Sequence, residues 1–343
     1  MLTDRQNTIL NIINTSQAIQ AGELKQQLQI SQATLNRELK TLVELGWISK
    51  IGAGRSTRYS LSNKYHHLWP IDITAYYQQD AEDRTTQHRF NFEVFNHLAG
   101  LSLFNESEIA TLTQAQTQYQ NKTKNISPGL LQKEWERFTI ELSWKSSEIE
   151  GNTYDLLETE ALFKYREKAS GKTDTETAML LNHKQALNYV WQHPTDFSEL
   201  DVKIIENLHR ILVQKLGVSF NLRNRPVGVT GTKYRPLDNQ HQIREALQNL
   251  CQVVNSKTSF FEKALLLVLG ISYLQPFEDG NKRTGRILAN AVLMAGEHCP
   301  LSYRSVSAVD YKKALLVFYE QNNLHPFKQL FIQQYQFAVE NYF

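Results

Sequence analysis

Between residues 131 and 298 the chain is a succession of helix-length segments. LQKEWERFTIELSWKSSEIEG, TETAMLLNHKQALNYVWQH, ELDVKIIENLHRILVQKLG, QIREALQNLCQVVNS, FFEKALLLVLGISYLQ and NKRTGRILANAVLMAGEH follow one another. Each has apolar residues at helical spacing or nearly throughout. Helices that bury such stripes must pack on one another. This part therefore predicts an orthogonal helical bundle rather than an α/β sheet. The composition, 41% hydrophobic and 21% charged, fits a soluble globular protein, and 343 residues leave room for two domains. The longest apolar run, ALLLVLGISYL (264–274), is too short to span a bilayer and reads as a buried helix.

The first 64 residues differ in charge. They hold eight Lys/Arg against four Asp/Glu, net +4, whereas the whole chain nets +2. Ile9, Leu10, Ile12 and Ile13 mark a first helix, and Leu24 and Leu28 a short second one. Ser31 is placed to cap a third, on which Leu35, Leu39 and Leu42 share a face, and Gly46 ends it. WISKI and RYSLS are strand-like runs around GAGRST, whose Gly52 and Gly54 suit a hairpin tip. Three helices and a hairpin make a small α/β winged helix-turn-helix, in which the third helix enters the major groove of duplex DNA. Gln32, Thr34, Asn36, Arg37 and Lys40 supply base-reading and phosphate-reading types there, and Arg55 and Arg58 on the wing can meet phosphates. A helical protein-contact module with solvated charges is the alternative. The stretch from Ile30 to Leu61 resembles bacterial winged-helix regulators, which implies the fold and leaves the operator open.

Residues 65–130 read as a helical connector between a domain at 1–64 and one at 131–343. Cys251 and Cys299 have no CxxC spacing, so neither a disulfide framework nor a zinc site is expected. The N-terminus lacks an apolar signal core. A cytoplasmic protein with no membrane partner is expected.

Residues 274–286 read LQPFEDGNKRTGR. One helix ends near Gln275 and the next starts near Asn281. A helix start presents unpaired N–H groups and the positive end of the dipole. Gly280 allows close backbone approach to an anion. Lys282, Arg283 and Arg286 add charge, and the two arginines, three apart, share a helix face. Asp279 is a hard oxygen ligand suited to Mg²⁺ between phosphates. Phe277 suits an apolar anchor. On these residues alone, a phosphate cradle and a capped, salt-bridged turn stay equally open.

The same residues resemble the signature of the Fic (Fido) family, H-x-F-x-[DE]-G-N-[GK]-R-x-x-R, at every defined position but the first. The resemblance extends over 131–343. It implies a mainly α, orthogonal helical fold with a β-hairpin flap, and AMP transfer from ATP to a hydroxyl of a target protein. It implies Mg²⁺ held by Asp279 and an anion hole of Gly280, Asn281 and Lys282. Arg283 would meet the β-phosphate and Arg286 the γ-phosphate. LRNRPVGVTGTKYRPL (222–237) fits the flap, with Val227, Gly228, Val229, Thr230 and Gly231 at its tip. SSEIEGN fits the family's inhibitory pattern [ST]-x-x-x-E-[GN] as Ser146, Glu150 and Gly151, with Glu150 expected to pair with Arg286. The resemblance allows homo-oligomers but assigns no interface.

Gln275 stands where the family has its histidine. An imidazole takes up a proton near neutral pH and a carboxamide does not. The leading expectation is an ATP-binding regulator whose transferase activity is weak or lost. The alternative is an adenylyltransferase restrained by Glu150, with another group as base; His209 and His298 are candidates. Phosphoryl transfer or AMP removal ranks below both. A vestigial domain would have little reason to keep Asp279, Asn281, Arg283 and Arg286 together. LHPFKQL (324–330) has no Gly-Asn or arginine pair after it, so His325 reads as a turn or surface residue.

Overall fold

The computed structural model describes residues 2–124 and 126–343, apart from the side chain of Arg55. The chain forms two compact units, Met1–Ile71 and Asp72–Phe343.

In the first unit the order is α1 (Asp4–Ser16), β1 (Ala18–Gln20), α2 (Ala21–Leu28), α3 (Gln32–Glu44), β2 (Ile48–Ile51), β3 (Arg58–Leu61) and α4 (Asn63–Leu68). The hydroxyls of Thr3 and Ser31 cap α1 and α3 by accepting from the amides of Gln6 and Thr34. After α3, Gly46 takes a φ of +75°, and Trp47 N–H turns back to the Leu42 carbonyl, which closes the helix. Ile9, Leu10, Ile13, Leu24, Leu35, Leu39, Leu42 and Ile48 form one buried core. The strands make an antiparallel sheet in the order β1-β3-β2. Strand β1 was not anticipated; three residues are too few to show a period of two. The unit is a winged helix, with β2 and β3 as its wing.

The second unit holds twelve α-helices among the described residues. These are α5 (Ile73–Tyr76), α6 (Val94–Ala99), α7 (Glu106–Lys124), α8 (Pro128–Ile149), α9 (Leu156–Tyr165), α10 (Asp174–Gln192), α11 (Val202–Leu212), α12 (Gln240–Ser256), α13 (Phe260–Leu274), α14 (Asn281–Ala295), α15 (Ala308–Gln321) and α16 (His325–Asn341). Helix α13 is buried on every side, which explains its lack of a polar face. Helix α14 lies tightly along it: a Cβ on Gly285 would sit 3.3 Å from Val268 Cα. Helices α8, α10, α11 and α15 surround this pair. Among the described residues no helix is long and apolar enough to cross a membrane.

The hairpin expected at 222–237 does not form. No strand is assigned in this stretch, and its one ladder contact is a parallel bridge between Arg235 and Arg89. Arg235 N–H donates to the His88 carbonyl at 3.0 Å. The alternating run finds its partner more than a hundred residues away in sequence, which a local pattern cannot reveal.

Candidate nucleotide-binding site

The joint between α13 and α14 is built around Gln275. Helix α13 stops there because Gln275 takes φ 50° and ψ 57°, with its N–H on the Ile271 carbonyl. A left-handed non-glycine residue is uncommon and needs support. Arg223, 1% exposed, supplies it. Its Nε donates to the Gln275 carbonyl at 2.6 Å and its Nη1 to the Arg225 carbonyl at 2.7 Å, while its backbone N–H donates to Pro276 O at 3.0 Å. The Gln275 amide is engaged at both ends: Nε2 donates to Ser272 O at 2.6 Å, and Oε1 accepts from Asn281 Nδ2 at 3.0 Å. Asn281 folds back over the loop, accepting from Phe277 N–H at 2.9 Å and donating to Phe277 O at 2.8 Å. Phe277 is fully buried and stacks on the His209 ring at 3.6 Å. His209 Nε2 in turn donates to Asp279 O at 2.9 Å.

Gly280 starts α14 with φ +83°, and a Cβ there would meet Val213 Cγ1 at 3.0 Å and the His209 ring at 3.4 Å. The backbone needs glycine on both counts. Asp279 accepts from Gly280 N–H at 2.6 Å and from Arg283 Nη2 at 3.1 Å. Its side chain is 62% exposed, open to a further ligand, whereas Arg283 is 1% exposed. Arg283 Nη1 is buried with no hydrogen-bond partner among the described residues. A buried guanidinium nitrogen without an acceptor, beside a helix start, suits an anion. Burial pushes the Arg283 pKa down, and Asp279 and Glu150 oppose this.

The end of α8 reaches the same cations. Arg286 donates through Nε to Ser146 Oγ at 2.9 Å and through Nη2 to Ser146 O at 2.9 Å and Glu150 Oε1 at 2.8 Å. The other oxygen of Glu150 takes Lys282 Nζ at 2.9 Å. Gly151 follows with φ +95° and turns the chain away. Burial alone would raise the Glu150 carboxyl, but Arg286 and Lys282 outweigh it and hold it at about 2. Burial opposes the Arg286 charge, and Tyr311 and Glu150 override it, so its pKa rises.

Neither candidate histidine is free to replace a base at residue 275. His209 holds the loop, and burial pushes its pKa to about 4. His298 packs on Phe261 and Tyr335 beyond the far end of α14 and is pushed by burial to about 4. His325 begins α16. In the expected flap, Val227 and Val229 are half-buried, and Gly228, Thr230 and Gly231 are exposed. The loop joins the motif through Arg223. Sequence reasoning missed Arg223 and did not foresee the structural role of His209; nothing local marks a residue that supports a distant turn. It also missed the Lys282–Glu150 pair.

In the first unit, Gln32, Asn36, Arg37, Lys40 and Arg58 are exposed and Thr34 half-buried. Gln32 Nε2 donates to Asn36 Oδ1 at 3.0 Å, which orders two polar side chains on one face of α3. Thr34 Oγ1 lies 2.9 Å from Ser31 Oγ. The side chain of Arg55 lies outside the described residues.

A helical bundle with three cations gathered at one helix joint, preceded in the chain by a winged helix, defines the class. Residues 199–293 match the Fic/DOC family and residues 2–51 the MarR family. The chain thus carries a Fic/DOC domain in its C-terminal part and a MarR-type winged-helix region at its N-terminal end. It is 29% identical over 178 residues to "Protein adenylyltransferase Fic" of Nematostella vectensis, covering 50% of this chain and 41% of that protein. It is 22% identical over 200 residues to a protein adenylyltransferase of Caenorhabditis elegans, covering 57% and 39%. The chain spans about two-fifths of the length of these relatives. Its fold resembles a segment of Fic-1 from C. elegans, with TM-score 0.58, 18% identity, and coverage of 69% of this chain and 71% of the other. A Fic domain containing signaling protein from Bacteroides thetaiotaomicron gives TM-score 0.58 at 20% identity, covering 67% and 94%.

Proposed function

We propose that this chain is a regulator in which the Fic domain binds ATP with Mg²⁺ and the winged helix binds duplex DNA, with AMP transfer weak or lost at Gln275. The observation that carries this reading is the state of the Gln275 amide. A carboxamide takes up no proton near neutral pH, and both ends of this one are held, Nε2 by the Ser272 carbonyl and Oε1 by Asn281. The cations around it are all present. Gly280, Asn281 and Lys282 would form the anion hole, Arg283 would meet the β-phosphate, and Arg286 the γ-phosphate once Glu150 withdraws. Asp279, exposed at the rim, would hold Mg²⁺ against the phosphates, where the ion supplies charge neutralisation. Glu150 takes the phosphate's role as partner of Arg286, and so restrains the site. The domains expected at 1–64, 65–130 and 131–343 would act in the cytoplasm as DNA reader, connector and nucleotide sensor.

The second reading is an active adenylyltransferase acting on a target protein hydroxyl and restrained by Glu150. The intact cradle and the names of the relatives favour it. ATP labelled at the α-phosphate separates the two, with the protein alone and in cell lysate. Label transferred by Glu150→Gly with Gln275 in place overturns the regulator reading. Label that needs Gln275→His in addition supports it.

A further inference from the structure

The loop at 222–237 does not pair with itself, yet it is firmly held. What holds it is the stretch 72–89, which follows directly on Ile71, the last residue of the first unit. Arg84, 5% exposed, donates through Nε and Nη2 to the two carboxylate oxygens of Glu320, each at 3.0 Å. Glu320 is fully buried in α15 and also accepts the Tyr76 hydroxyl. The same Nη2 of Arg84 donates to the Gly231 carbonyl at 2.8 Å. On either side, Lys233 pairs with Glu82 at 3.1 Å, and Arg235 N–H donates to His88 O at 3.0 Å. Gln87 N–H donates to Glu320 O at 2.8 Å and fastens the stretch to α15. One buried guanidinium thus spans from a helix in the core to the backbone of an exposed loop. Bidentate pairing fixes its orientation as well as its position.

We propose that residues 72–89 form a strap that sets the position of the 227–235 loop, with Arg84 as its positioning residue. This rests on reading Val227–Gly231 as the clamp for a target segment. In a hairpin, strand pairing would fix the backbone against which an extended peptide could lie. Here the strap does this from a segment outside the matched Fic/DOC region. Gly231, at φ +84°, aims its carbonyl at Arg84 through a backbone conformation that other residues rarely take.

The test is amide hydrogen exchange on the full chain, without nucleotide or target. Arg84→Lys keeps a cation for Glu320 but loses the planar two-nitrogen fork that fixes its orientation towards Gly231. Exchange across 227–235 is expected to rise about tenfold or more, while α13 and α14 stay unchanged. Arg84→Ala should raise it further. Unchanged exchange at 227–235 overturns the proposal. An equal rise throughout α13 and α14 also overturns it, because Arg84 would then support general stability only. The strap stands or falls on exchange. The clamp reading is tested separately, by transfer of α-phosphate label to lysate proteins in the Glu150→Gly, Gln275→His form.

Discussion

Glu150 Oε1 and Arg286 Nη2 meet at 2.8 Å where the end of α8 touches the second turn of α14. The second oxygen of the same carboxylate holds Lys282 at 2.9 Å, so one acid occupies two cradle cations. Glu150→Gly should therefore raise MgATP affinity by about tenfold or more, since charge-assisted bonds contribute roughly 1.5–3 kcal/mol each. It should also lower stability by about 3 kcal/mol, because Arg286 stays buried with only Ser146 beside Tyr311. Titration calorimetry and thermal melting measure both. Unchanged affinity would sink the restraint.

Stability should fall in acid in two steps. Burial pushes His209 from 6.5 to about 4, so between those values the unfolded chain binds a proton that the fold does not. Its contribution is complete above pH 6.5 and is lost as pH falls to 4, roughly 3 kcal/mol. His298, pushed to about 4 by burial, adds in the same window. Glu150 works below it: its pKa is lowered from 4.5 to about 2, so its contribution is present above 4.5 and lost as pH falls towards 2. Denaturant midpoints between pH 7.5 and 3 should decline from 6.5 downward, and His209→Asn should flatten the first step.

Gln275→His should keep the fold and add transfer. The left-handed turn at 275 is held by Arg223 and by the Ile271 carbonyl, both through backbone atoms. In the Glu150→Gly background, the Gln275 form should transfer α-phosphate label about 10²–10⁴-fold more slowly than the His form. Equal rates would point to another base.

Gly280→Ala should cost about 1–2 kcal/mol from the left-handed backbone alone. Crowding against Val213 and His209 adds to it and displaces the start of α14. MgATP binding should be lost while the α13 core persists. Normal affinity in a well-folded Gly280→Ala protein would remove the close-approach argument.

Arg37 and Arg58 are exposed on α3 and β3. If each neutralises one phosphate, Arg37→Ala and Arg58→Ala should each reduce the salt dependence of duplex binding by about one unit of slope. Anisotropy with mixed genomic fragments at several salt concentrations reads this. An unaltered slope would place the contacts elsewhere.

What could be read in the sequence was local. The Ser31 cap, the Gly46 stop, the apolar face of α3 and the wing strands are each decided within a few residues. The helix joint was legible because its glycine, asparagine and cations are consecutive. Phe277 was legible as an anchor, but not the ring it stacks on, because His209 sits 68 positions earlier. The missing hairpin is the same case. Its residues alternate well enough for pairing, and only the folded chain shows that Arg84, Glu82 and His88 hold them instead. The polar-aromatic run 63–89 has no clean period, and from Tyr76 onward it is fixed by side chains reaching to α15 rather than by a repeating face.

The turn at Gln275 bears on how far this residue stands from a histidine in mutational terms. Its backbone is fixed by Arg223 and the Ile271 carbonyl, and its side chain is held by the Ser272 carbonyl and by Asn281. Both glutamine codons differ from histidine codons by a single third-position base. A change of that size would put a proton acceptor at this turn without rebuilding the backbone that holds it, so a carboxamide and an imidazole here are one base apart in either direction.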